Sequence, residues 1–158
     1  MLDTLHIDEY EEMLAREQEE DDLDGLINYY HKQLLNNPVA LKSLITTGLS
    51  ERLMFRHQIG YCDRSLNSLI QNSISIDGDA FRGCLRRLEL IKPTGHELFS
   101  GCIIEPYYDL NKRLISICGV KLNRISRPAP EIIHWFRDKV FDMPLKFKLT
   151  QMGQSHVN

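Results

Sequence analysis

The chain of 158 residues has no apolar run approaching the ~20 residues that a membrane helix needs. Its first residues are acidic, the opposite of a secretory leader, so a cytoplasmic protein without a membrane partner is expected. Cysteine is sparse: Cys62, Cys84, Cys102 and Cys118 stand singly and never form the Cys-x-x-Cys pairs of a structural zinc site. Two of them sit in apolar strand-like runs, where a small buried thiol is the usual occupant, so reduced core cysteines are expected rather than a disulfide framework. No Gly-x-x-x-x-Gly-Lys is present to cradle a phosphate, and His96-Glu97-Leu98-Phe99-Ser100 misses the zinc-protease signature because Ser100 holds the second histidine position. Neither a catalytic group nor a metal or cofactor set emerges from these patterns.

What is present is charge, unevenly placed. Residues 1–24 carry eleven acids against one base, Arg16, a balance of −10; residues 25–158 carry eleven acids against eighteen bases, a balance of +7. A basic body suits a surface that follows a phosphate backbone, since each neutralised phosphate releases counterions, although surface lysines and arginines also serve solvation alone. In the acidic arm Leu5, Ile7, Tyr10, Met13 and Leu14 allow a short amphipathic helix, but the run after Leu14 has too little apolar surface to offset chain ordering. The arm over 1–24 is therefore read as a solvated or partly disordered tail; a sharper reading makes it an internal competitor lying on the basic face.

Leu23, Leu26, Ile27, Tyr30 and Leu34 recur at three- and four-residue steps and predict a helix over about 22–35. Asn36-Asn37-Pro38 stops it and starts the next, a short helix made by Ala40, Leu41, Leu44 and Ile45 and ended by Gly48. Ser50 caps a third, and Asp77-Gly78-Asp79 reads as a turn before a helix over 80–90 that shows Arg82 and Arg86 to solvent. Cys102 to Tyr108 and Arg113 to Gly119, extended to Leu122, predict a β-hairpin about Asp109–Lys112, with Pro106 requiring an edge or a bulge. The cluster Ile132, Ile133, Trp135, Phe136, Val140 and Phe141 predicts a C-terminal helix with Arg137 and Lys139 exposed, followed by a strand over 145–149 and a frayed tail over 151–158. The expected class is α+β: several short helices, an antiparallel hairpin or small sheet, and a C-terminal helix, in one domain over 25–150.

Two stretches carry a resemblance. Tyr29-Tyr30-His31, Pro38, Ala40, Leu44, Gly48-Leu49 and Ile59-Gly60-Tyr61 come first; Arg64, Phe81-Arg82-Gly83, Thr94-Gly95-His96-Glu97, Phe99, Gly101, Pro106 and Gly119-Val120-Lys121 follow. In this order they resemble the N-terminal subdomain of the RNA-polymerising core of bacterial-type primases, especially primase-like proteins of phages, plasmids and other mobile elements. Where that family has Gly-Arg-Lys this chain has Gly119-Val120-Lys121, which removes one guanidinium. The family continues into a Toprim fold whose acids hold Mg²⁺; about 36 residues follow Leu122 here, with no Glu-Gly-x-x-Asp or Asp-x-Asp cluster among them. A zinc-binding module also has no counterpart.

The resemblance implies a template-handling module of DNA replication that binds single-stranded DNA or a primer-template and does not polymerise alone. The implied nucleic-acid contacts are Arg64, Arg82, Arg86, His96, Lys112, Lys121 and Arg124, with a separate Toprim primase subunit or a helicase as partner. A loop-ordering hydrogen bond is the plain alternative for His96. Two further readings stand beside this one: a protein-interaction factor docking on a host primase, helicase or defence protein, and one half of a split primase.

Overall fold

The computed structural model describes residues 2–72, 76–125 and 127–138. In chain order these form α1 (Leu2–Leu35), α2 (Pro38–Thr46), α3 (Glu51–Arg56), β1 (Gly60–Tyr61), α4 (Leu66–Asn72), α5 (Ile76–Arg87), β2 (Cys102–Tyr108), β3 (Leu114–Lys121), a 3-10 turn over Leu122–Arg124, and β4 (Ile132–Phe136). The four strands make one antiparallel sheet in the order β1-β2-β3-β4. The class is α+β, as expected.

Local chemistry accounts for the helix boundaries. Asn37 caps α2 by accepting from the Ala40 N–H at 3.1 Å, with Pro38 in the first turn, and Ser50 caps α3 by accepting from the Leu53 N–H at 3.3 Å. Gly48 turns the chain between them at φ +98°. The stripe Leu23, Leu26, Ile27, Tyr30 and Leu34 is buried as its spacing requires. Each such side chain contributes roughly 1.5–3 kcal/mol of burial.

Alternation along the strands divides the core. Cys102 and Ile104 on β2, Ile117 on β3 and Trp135 on β4 join α1, Phe99 and Leu85 in one cluster; Ile103, Cys118 and Val120 join Leu34, Ala40, Leu44 and Met54 in the other. Two glycines permit the closest approaches. A Cβ on Gly60 would sit 2.7 Å from the Tyr30 backbone, and one on Gly119 would overlap the Phe99 ring.

Several expectations are corrected. Residues 132–136 are the edge strand β4, not the start of a helix: apolar residues at 132, 133, 135 and 136 satisfy either period in so short a window, and β-branched and aromatic types favour the pleated one. Trp135 points inward, its indole N–H donating to the Leu88 carbonyl at 2.7 Å. Arg137, expected on the surface, has a side chain only 4% exposed. Asp77-Gly78-Asp79 lies inside α5 rather than in a turn. The helix expected over 22–35 is the C-terminal part of α1, and the acidic arm expected to be partly disordered is helical, though residues 6–18 are exposed throughout.

Pro106 fits because β1 is two residues long and pairs only with Ile103 and Ile104, so among the described residues no strand hydrogen-bonds β2 on that side at the proline; a bulge follows between Tyr107 and Tyr108. All four cysteines are buried and free, and burial pushes the thiols of Cys62, Cys84 and Cys118 up to about 12. The strand expected over 145–149 and the tail over 151–158 lie outside the described residues, as do Val140 and Phe141. Among the described residues, no helix is long and apolar enough to cross a membrane.

Candidate nucleic-acid interface

Three of the predicted bases converge at one end of the sheet. Cys62 and the 101–102 segment exchange backbone hydrogen bonds, Gly101 N–H to Cys62 C=O at 2.9 Å and Cys62 N–H to Cys102 C=O at 3.0 Å. This ladder sets Arg64, itself at φ +69°, beside Gly101 at φ +75°. A Cβ on Gly101 would stand 2.9 Å from Arg64 Nη2, so the guanidinium rests over the bare glycine. Lys121 ends β3 and its Nζ donates to the Ser100 carbonyl at 2.6 Å. Arg124 follows on the 3-10 turn, its Nε 3.9 Å from Glu131. With Val39, Tyr61 and Leu122 they line a cleft of about 610 Å³.

Neighbouring groups register these charges. Burial pushes the Cys102 thiol up to about 11, while Lys121 and Arg64 pull it the other way. Burial likewise raises the Tyr61 phenol, and Arg64 opposes the rise. Among the described residues, neither Arg64 nor Lys121 has a carboxylate within ion-pair distance.

The remaining predicted residues lie elsewhere. Arg82 is half-buried on α5, whereas Arg86 is exposed in its last turn and lines a separate groove with Arg87, Lys92 and Leu98. His96 is exposed, its Nδ1 3.0 Å from the Thr94 hydroxyl, and its carbonyl accepts from the Lys92 N–H at 2.8 Å. That geometry supplies the loop-ordering role. Lys112 sits in the hairpin turn at φ +62°, at the opposite end of β3 from Lys121, beside Asp24, Asn28, Gln58 and Tyr108. Three of the seven predicted residues thus share one cleft, and Arg82, Arg86, His96 and Lys112 lie outside its lining.

Sequence reasoning missed three features. Lys42 and Lys92 border the cleft and the α5 groove, and their signal, exposed positions on short helices and loops, is too common to stand out. Glu97, not His96, is the group with an unusual environment: it is 3% exposed and accepts from the Tyr30 hydroxyl at 2.7 Å. Burial raises its carboxyl pKa above the ordinary value, with the Tyr30 hydrogen bond acting against the rise. The third is Arg137, which ion-pairs with Glu19 and, at 2.6 Å, with Glu20; Arg113 reaches Glu20 at 3.3 Å. Burial works against the Arg137 charge, but its hydrogen bonds to Glu19 and Glu20 outweigh it and hold the guanidinium above its usual pKa.

The cleft sets three cations against one glutamate, Glu131, which stands beside Arg124, and such a charge balance is unsuited to a divalent metal. Among the described residues, no group of three or more His, Cys, Asp or Glu is placed to hold a metal ion.

No family model and no curated protein matches the chain. Solved structures do. The primase of Aquifex aeolicus, comprising its zinc-binding and RNA polymerase domains, superposes with a TM-score of 0.64 at 19% identity over 80% of this chain and 31% of that one. The DnaG primase catalytic domain bound to ssDNA gives 0.59 at 22% identity over 80% and 41%. The E. coli primase catalytic core gives 0.57 at 21% identity over 77% and 39%. The chain spans between 31% and 41% of the length of these structures. It has a primase-like fold.

Proposed function

We propose that the chain is a primase-derived, replication-associated module equivalent to the N-terminal subdomain of the primase catalytic core, of mobile-element type, and that it binds single-stranded DNA or a primer-template along the Arg64–Lys121–Arg124 cleft. The carrying observation is the convergence of these three bases, two of them fixed against backbone at Gly101 and Ser100 with no carboxylate among the described residues to neutralise them. A phosphate chain is the natural counter-charge for such a row. Similarity to a primase domain solved with ssDNA supports the choice of ligand. On this reading the metal-dependent phosphoryl transfer belongs to a separate Toprim unit, and no catalytic step is assigned to the cleft.

Fluorescence anisotropy with labelled oligonucleotides at low salt tests it. Wild type should bind single strands with little sequence preference. Arg64→Ala and Lys121→Ala should each weaken binding several-fold and lower the salt slope by about 0.7 for each phosphate no longer neutralised. Undetectable binding of wild type, or variants indistinguishable from it, sinks the proposal.

A protein-docking role is the second reading, favoured by one observation. Ile7, Tyr10, Met13 and Leu14 on α1 are 54%, 58%, 47% and 44% exposed.

A further inference from the structure

The acidic half of α1 has helical form without packing to support it. α1 has 34 residues and so extends about 51 Å, yet residues 6–18 are all exposed. Burial begins in earnest at Leu23. The arm's own charges give little help, since Arg16 is its lone base and can offset few of its acids. Helices in proteins draw most of their stability from an apolar face packed against something. Such a face exists here: Ile7, Tyr10 and Leu14 recur at i, i+3 and i+7, Met13 flanks them, and Glu9 and Glu11 bracket the stripe.

The same molecule carries a complementary surface. Between α2 and the 121–125 segment runs a groove in which a cavity of about 360 Å³ joins the 610 Å³ cleft through the shared lining residues Val39, Ser43 and Leu122. Val39 is 71% exposed and supplies, with Leu122, an apolar floor; Lys42 lines the smaller cavity and Arg64, Lys121 and Arg124 the larger cleft, where Glu131 stands beside Arg124. An apolar floor with basic sides is the shape and charge that an acidic amphipathic helix fits.

The arm does not reach this groove within its own chain. α1 is fastened through Glu19 and Glu20 to Arg137 and Arg113, at the Leu114 end of β3. The groove lies at the Lys121 end, some 25 Å away along β3 at about 3.3 Å per residue. From its anchor the arm runs away from the groove. Pairing of two α1 arms with each other would set acid against acid.

We propose that the exposed half of α1 from one copy docks into the α2–turn groove of a second copy, giving a head-to-tail assembly held by the Ile7–Tyr10–Leu14 stripe and by acid–base contact at the groove sides. The contact stands whether or not nucleic acid binds the adjacent cleft. Where nucleic acid does bind, the arm and the phosphate chain meet the same cations and exclude each other.

Light scattering and sedimentation of the full chain over a range of concentrations, without nucleic acid and at low salt, test the contact. Wild type should rise from the 18.4 kDa monomer to at least twice that mass and fall back as salt is added. An arm variant, Ile7→Gln with Tyr10→Gln and Leu14→Gln, should stay monomeric, and so should a groove variant, Val39→Glu with Lys42→Glu. All five positions are exposed, so neither variant threatens the core. Mixed together, the two should form a one-to-one complex, because one retains an intact groove and the other an intact arm. Wild type that is monomeric at every concentration overturns the proposal, as does assembly that survives in either variant or a mixture that stays monomeric. Assembly is measured without nucleic acid, and the arm variant leaves every residue of the cleft in place, so loss of assembly and loss of nucleic-acid binding are read separately.

Discussion

The two ends of β3 use their bases in opposite ways. Beyond Leu114, Arg137 is enclosed and answered by Glu19 and Glu20, so its charge serves to fasten α1 to the sheet. At the Lys121 end, Lys121 is held by backbone and Arg64 by a glycine, and among the described residues a carboxylate comes within ion-pair distance of Arg124 alone of the three. A count of lysines and arginines treats both ends alike. The acids of α1 separate them: where the acidic helix passes, basic residues become structural, and where it does not, they face outward and remain available.

The largest expected effect comes from opening the closed end. Arg137→Ala would leave Glu19 and Glu20 without their shared partner at the sheet. Removing one member of a fully buried pair costs about 3–5 kcal/mol, and the partial exposure of both carboxylates lowers the expectation here to about 2–4 kcal/mol. Urea denaturation should show this as a lower midpoint, with oligonucleotide affinity unchanged within about twofold of wild type. Lys121→Ala should do the reverse, costing about 1 kcal/mol or less in stability while weakening binding several-fold. If Arg137→Ala abolishes binding in a folded protein, or Lys121→Ala leaves it intact, the contrast between the two ends is wrong.

Glu97 sits between these cases, an acid buried without a cation, and its pH dependence sharpens the comparison. Burial raises its folded carboxyl above the ordinary value of 4.5. A raised folded value means that the folded state holds the proton more tightly. The stability this group contributes is therefore fully present below about 4.5 and is lost as pH rises through the folded value. Glu97→Gln can still accept from Tyr30 but cannot ionise. The stability of wild type minus that of E97Q should fall as pH rises from 4.5 toward neutrality, then level off. A difference that stays flat across that range would show the carboxyl to be ordinary.

Much of this architecture was legible in the sequence because its signals are local. The stripe from Leu23 to Leu34, the Asn37 and Ser50 caps, and the hairpin from Cys102 to Lys121 follow from spacing and turn chemistry within a few residues. The resemblance motifs also acquire physical meanings. Ile59-Gly60-Tyr61 lets α1 close on the sheet at Tyr30, while His31 bonds the Ile59 carbonyl at 2.7 Å; Gly119 admits the Phe99 ring. These residues build the fold rather than the chemistry. What escaped was set by partners distant in sequence. Residues 132–136 became a strand because β3 offered an edge, and Arg137 turned inward to meet acids more than a hundred positions earlier. Of the predicted bases, Arg64, Lys121 and Arg124 converge because the Cys62–Gly101 ladder joins the β1 segment to that of β2, whereas Lys112, in the turn that the sequence marks, lies at the other end of β3.

The smallest expected effect lies within the closed end itself. Arg113 shares Glu20 with Arg137, but its side chain is 50% exposed and that of Glu20 is 34% exposed, so water screens the pair and its geometry is held at the expense of side-chain freedom. Glu20 also keeps its 2.6 Å contact with Arg137 when Arg113 is removed, and therefore is not left unanswered. Arg113→Ala should cost about 0.5 kcal/mol or less, and the loss should vanish in high salt because the screening length there falls to about 3 Å. In the Arg137→Ala background, Glu20 has only Arg113 left, and the same substitution should cost more. A double-mutant cycle measures the excess as a coupling energy. A coupling indistinguishable from zero would mean that the two arginines hold α1 independently, and that burial of Arg137, not the shared carboxylate, makes that end of the sheet closed.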